Sequence, residues 1–142
     1  MEPASLGLIL DSSVLIAAER RGLAPVDVIA NIRDAVGTMA IGLSAVTVAE
    51  ISHGIYRASN LDVRRRRQSF LDELVAALPV YPYSRETAEI VGRISGEQAR
   101  EGLRLPLADL MIGACALERG YAVATGNLRD FGRIPDLRVI VI

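Results

Sequence analysis

At 142 residues the chain is long enough for one domain with a sizeable core, and an apolar content of 51% excludes a disordered chain. Only 4% of the residues are aromatic, so that core has to be aliphatic. A formal net charge of −1 excludes an overall basic, non-specific polyanion binder and leaves any nucleic-acid contact to local patches.

Residues 7–10 predict a short buried strand. Val14, Leu15, Ala17 and Ala18 predict a helix ending near Gly22. Ile29, Ile32 and Val36 follow at helical spacing, with Gly37 as a stop. Residues 39–43 predict a second strand, and a helix from about Ser44 or Thr47 to Ala58 comes next. Residues 59–62 are a turn in which Asp62 can cap a helix running to about Leu78, with Val63, Phe70, Leu71, Leu74 and Leu78 inward. Val80 and Tyr81 form a short strand, and Ser84 caps a helix that buries Ala88, Val91 and Ile94 and ends near Gly102. A helix over 107–119 stops at Gly120, then come strands over 121–125 and 138–142. The last strand is apolar on both faces, as interior strands tend to be. The order β-α-α-β-α-α-β-α-α-β-β implies a parallel sheet of four to five strands with helices on both faces, in a single domain spanning 1–142.

The absence of lysine (all 16 basic residues are Arg) excludes mechanisms that need one. A single cysteine, Cys115, forbids an intrachain disulfide and suits a reducing cytosol, so a cytoplasmic protein is expected. One Cys and one His speak against a structural zinc site. Met1-Glu2-Pro3 lacks a basic n-region, so no signal peptide is expected, and no apolar run approaches a membrane span.

Three carboxylates stand out by position. Asp11 follows the first strand, Glu50 lies shortly after the second, and Asp109 opens the helix over 107–119. Each has a structural use: Asp11 as an N-cap, Glu50 closing a capping box with Thr47, Asp109 favouring a helix dipole after Pro106. Jointly they fall where an open parallel sheet gathers its crevice, at the carboxyl ends of the strands. Acids gathered there repel one another and attract a hard divalent cation. Asp11 and Asp109 would ligate Mg²⁺ or Mn²⁺, and Glu50 would hold a second ion or orient a water for phosphodiester cleavage.

Four segments then carry a resemblance. Ile9-Leu10-Asp11-Ser12-Ser13-Val14-Leu15-Ile16, residues 43–51 around Glu50, residues 105–114 around Asp109, and Ala124-Thr125-Gly126-Asn127-Leu128-Arg129-Asp130-Phe131 resemble, in order, the PIN-domain ribonucleases, most closely the VapC-type toxins. The resemblance implies a PIN-like three-layer α/β/α sandwich and a Mg²⁺- or Mn²⁺-dependent endoribonuclease cutting structured RNA of the tRNA or rRNA class. It implies a homodimer and a small cognate antitoxin that covers the site. It carries metal ligation and catalysis onto Asp11, Glu50 and Asp109. The family often has a fourth acid after the fourth strand, where this chain offers Asn127 or, three residues on, Asp130. Ser13 matches a small hydroxyl position that helps hold metal or phosphate.

Other residues have plainer readings. Arg64–Arg67 point around about 300° of a helix, so they form a solvated face rather than one ligand site. Arg129 and Arg133 are better placed for substrate phosphates. His53 and Cys115 read as structural, and Tyr81 and Tyr83 either stack bases or pack at a strand edge. Aspartyl-phosphate enzymes are disfavoured, because they want a second Asp where Ser13 stands and a lysine as well. A catalytically weak or inactive PIN-like RNA-binding or protein-interaction module is the remaining alternative, suggested by Asn127.

Overall fold

The computed structural model describes residues 5–142; the expectation drawn from Met1–Pro3 falls outside them. The first apolar run forms β1 (Gly7–Leu10), buried along its whole length. It lies at the centre of a five-stranded sheet in which every pairing is parallel. On one side lie β2 (Ala40–Ser44) and then β3 (Val80–Tyr81); on the other lie β4 (Ala122–Thr125) and then β5 (Val139–Val141). Chain order runs outward from β1 in one direction and returns on its other side as β4. The crevice beyond the carboxyl ends of β1 and β4 is therefore the topological switch point, where such sheets bind ligands.

Alternation along β1 divides the core. Leu8 and Leu10 face α1 (Ser12–Arg20), α2 (Pro25–Val36), α3 (Ala45–Arg57) and α4 (Leu61–Ala77), packing on residues such as Leu15, Ile32, Ile55 and Leu74. Ile9 faces the opposite way, with Val123 of β4, toward α5 (Arg85–Arg100) and α6 (Leu107–Arg119), where Ile94, Leu110 and Ile112 are buried. The result is the three-layer α/β/α arrangement, with an aliphatic interior; each side chain so buried contributes about 1.5–3 kcal/mol.

Helix starts follow side-chain chemistry. Ser44 accepts from the Val46 N–H and Ser84 from the Thr87 N–H. Asn60, not Asp62, caps α4, accepting from Val63 at 2.8 Å. Asp62 falls in the first turn, two residues past the extended backbone of the cap. Gly120 ends α6 with φ 69°, as expected of a C-terminal glycine.

Three further departures have physical reasons. A short helix, α7 (Leu128–Phe131), interrupts the last connection; four residues are too few to show a helical period. β5 is an edge strand and Val141 is 56% exposed, so its continuous apolar character does not mark an interior position. The arginine run is in part a solvated face, with Arg65 and Arg66 exposed, and in part a staple. Arg64 donates to the Tyr56 and Ala58 carbonyls, Arg66 to Glu19 at 3.0 Å, and Arg67 to the Gly54 carbonyl at 2.7 Å. Because these residues point around α4, they reach α1 and α3 at once.

Close strand packing also fixes one glycine. A Cβ on Gly7 would lie 2.7 Å from the Ala40 carbonyl oxygen and 2.8 Å from the Tyr121 ring. Gly7→Ala is expected to lower stability by roughly 1–3 kcal/mol, read as a lower urea midpoint at unchanged m-value.

Candidate active site

The end of β1 places the first acid. Asp11 continues the β1–β4 ladder, its N–H donating to the Ala124 carbonyl at 2.9 Å, and then becomes the N-cap position of α1. Its carboxylate makes no capping bond. Instead Oδ2 accepts from Ser13 Oγ at 2.6 Å and from Thr125 Oγ1 at 2.8 Å. Asp11 is only 3% exposed, and these two donors keep its charge tolerable. Thr125 is itself oriented, accepting from the Asn127 N–H at 2.9 Å.

Glu50 arrives on the second turn of α3. Since Ser44 caps that helix, no Thr47–Glu50 capping box exists; Thr47 Oγ1 turns inward to the Leu10 carbonyl. Glu50 Oε1 accepts from Ser12 Oγ at 2.9 Å, so the residue after Asp11 holds the second acid. Asp109 sits in the first turn of α6, where Pro106 supplies no side-chain cap.

Asp109 reveals the gathering of charge. Its carboxyl is pushed up to about 6, first by burial, then by the charges of Asp11, Asp130 and Glu50, and by a hydrogen bond with Asp130. Asp130 in turn accepts from the Asn127 side-chain amide at 3.0 Å, while Asn127 Oδ1 caps α7. Asn127 thus holds Asp130 in place, and the carboxylate facing Asp109 in that segment is that of Asp130.

The structure therefore brings Asp11, Glu50, Asp109 and Asp130 into one charge-coupled group, with Ser13 bonded to Asp11. Arg129, next to Asp130, and Arg133 are exposed, and among the described residues neither pairs with an acid. Gln98 anchors the Arg133 backbone through its carbonyl at 2.9 Å. Cys115 is buried, and burial pushes its thiol up. Tyr81 packs edge-on against Tyr121, with the Arg119 guanidinium 3.8 Å over its ring, so its face is already covered. Sequence reasoning passed over Ser12 and Thr125 as site residues. Ser12 was detectable only as a hydroxyl beside Asp11, and Thr125 required the β1–β4 pairing.

The donor set is all oxygen: four carboxylates and flanking hydroxyls, the ligands of a hard divalent cation. Among the described residues no three His, Cys, Asp or Glu side chains stand together closely enough to hold a metal ion. The fit is therefore one of donor chemistry: Mg²⁺ keeps several waters and takes only one or two carboxylates directly, so it does not require a closed cage. On these grounds the residues fit such an ion.

Fold and site define a class: a parallel α/β protein with acids clustered at the carboxyl ends of its central strands. The sequence profile of the PIN domain matches residues 8–137, and the chain belongs to that family. It is 28% identical over 137 residues to the ribonuclease VapC of Rickettsia bellii, covering 96% of this chain and 97% of that one. It is 34% identical over 97 residues to the tRNA(fMet)-specific endonuclease VapC of Salmonella typhimurium, covering 68% and 71%. Among solved structures, DNA-bound VapBC from Salmonella typhimurium matches with a TM-score of 0.80 at 26% identity, covering 96% of this chain and 98% of that chain.

The raised Asp109 carboxyl has a consequence for stability. The folded chain holds this proton more tightly than the unfolded chain, so the group's contribution is present near pH 4 and is lost as pH rises through about 6. In EDTA, Asp109→Asn is expected to raise the melting temperature at pH 7.5 and to leave it nearly unchanged at pH 3.5, below the unfolded carboxyl's 3.8, measured by differential scanning fluorimetry.

Proposed function

We propose that residues 1–142 act as one PIN-like domain, a divalent-metal-dependent endoribonuclease that serves as the toxin of a toxin–antitoxin pair. The observation that carries this reading is the convergence of Asp11, Glu50, Asp130 and Asp109, with Asp109 pushed up to about 6 by burial and then by the charges of the other three. The VapC names of its relatives support ribonuclease activity, and the VapBC complexes support a small cognate antitoxin as partner. The tRNA(fMet)-specific relative favours structured RNA of the tRNA or rRNA class as substrate. A homodimer working in the cytoplasm completes the reading. Among the described residues no helix is long and apolar enough to cross a membrane.

Asp11 and Asp109 would hold Mg²⁺ or Mn²⁺, with Glu50 and Asp130 completing the charge around it. Such an ion supplies charge neutralisation at the phosphoryl oxygens and lowers the pKa of a bound water. The chain's own groups do the rest. Ser13 and Thr125 hold Oδ2 of Asp11. Ser12 fixes Oε1 of Glu50, which leaves Oε2 to orient the attacking water and accept its proton. Asn127 positions Asp130 rather than replacing it. That role removes the main ground for a catalytically weak or inactive binding module, since Asn127 no longer stands for a missing acid. Ser13, Arg129 and Arg133 are assigned to substrate phosphates.

Purified chain incubated with total bacterial RNA and Mg²⁺ or Mn²⁺ is expected to give discrete fragments, and none in EDTA. Asp11→Asn and Asp109→Asn each cut at least about a hundredfold more slowly with unchanged circular dichroism, the scale of several kcal/mol of lost charge stabilisation. Asp130→Asn is expected to reduce cutting more than Asn127→Asp; the reverse order would reassign the fourth position to residue 127. A folded chain that cleaves no RNA with either metal overturns the enzymatic reading. Separately, millimolar Mg²⁺ is expected to raise the melting temperature at pH 7.5, and to do so less in Asp109→Asn.

A further inference from the structure

A cavity of about 540 Å³ opens between α1, α3 and α4, adjoining the acid cluster and sharing only Glu50 with it. On α3 its lining runs from Glu50 to Arg57, with Ala58 just beyond, and on α1 from Leu15 to Arg20, so both walls run away from the sheet ends of these helices. Glu50, His53 and Arg57 are spaced i, i+3, i+7 and form one stripe of α3. The inner wall is apolar, built from the buried Leu15, Ile51 and Phe70.

The charges are unequal. Arg20, Arg57 and Arg67 line the cavity against Glu19 and Glu50. Glu19 is already engaged by Arg66 and Arg67. Arg20 and Arg57 are exposed and, among the described residues, take part in no ion pair. A cavity with an apolar wall, two exposed guanidinium groups at its rim and the Glu50 carboxylate in its lining complements a nucleotide: a flat base to bury and phosphates to neutralise. The volume lies within the range of about 300–1,000 Å³ typical of small-ligand sites. An apolar peptide would instead leave both rim cations uncompensated.

We propose that this cavity is a substrate subsite that takes the base of a nucleotide flanking the scissile phosphate, with Arg20 and Arg57 on that strand's phosphates. The proposal rests on the ribonuclease reading above. It predicts that the strand is gripped on the α1/α3 side of the acids as well as over them.

The probe is a fluorescein-labelled, mixed-sequence single-stranded RNA decamer, titrated by anisotropy against the full chain carrying Asp11→Asn to suppress cutting. Two further changes test the two halves of the site. Arg20→Gln with Arg57→Gln removes the rim charge. Gly54→Leu fills the cavity from α3, where a Cβ meets nothing within 4 Å, and replaces a poor helix former with a good one.

Both are expected to weaken binding at least about tenfold. The arginine pair should also flatten the plot of log K against log salt by about 1.4, two single-strand phosphate contacts. Gly54→Leu should do so with an equal or higher melting temperature, which a merely structural role would not give. Arg85→Gln, on the exposed pair with Glu89, should change nothing. Unchanged affinity in both variants overturns the subsite, leaves the ribonuclease reading standing and gives the cavity to a protein partner. Loss in the arginine variant alone places the strand on the rim and overturns the buried base. A parent chain that neither binds the decamer nor cuts total RNA removes the functional reading and this proposal together.

Discussion

Four carboxylates near one another in a partly buried crevice are unstable unless something compensates their charge, and much of this structure is arranged around that constraint. Asp11 is the most buried of them and receives two hydroxyl donors on one oxygen. Glu50 receives one hydroxyl, and Asp130 receives the Asn127 amide. Asp109 receives none of these donors, and burial first, then the charges of Asp11, Asp130 and Glu50, push its carboxyl up to about 6. The residual repulsion concentrated there is what a divalent cation would relieve. The hydroxyls of Ser12 and Thr125 also aim the acids, because their bonds run between different elements: α1 to α3 through Ser12, β4 to the end of β1 through Thr125.

That arrangement depends on β1 being central. A strand buried on both faces and paired on both edges has no freedom to shift its end, so Asp11 emerges at a fixed point of the switch crevice. The flanking helices are held to it in turn. Glu19 of α1 binds Arg66 and Arg67 of α4, and Arg67 reaches the Gly54 carbonyl of α3, one turn beyond Glu50. An ion pair half in water contributes little by itself. Here it also ties three helices whose relative position sets both the Glu50 carboxylate and the shape of the adjoining cavity.

Family membership and geometry meet at the segment after β4. Resemblance alone left Asn127 and Asp130 as rivals for one position. Their hydrogen bond turns them into partners, one carrying the charge and the other aiming it. A short helix too brief to show a period provides the turn that makes this possible, since Asn127 caps it and Asp130 lies three residues on. Local sequence cannot show such a division of labour, because amide and carboxylate are equally plausible in a cap.

The sequence by itself determined the parallel α/β class, the positions of nearly every element, the aliphatic core and the three acids Asp11, Glu50 and Asp109 as candidates. These are legible because hydrophobic period, glycine stops and the placing of an acid after a strand are local signals. Only the tertiary structure decided the strand order, the edge position of β5, the partners of Arg64, Arg66 and Arg67, and those of Ser12, Thr125 and Asn127. Each of these depends on contacts between residues far apart in the chain, such as Asp11 with Thr125 or Arg66 with Glu19. A hydroxyl or a guanidinium has the same local propensity whether it meets water or a carboxylate across the sheet, so the fold alone selects its partner.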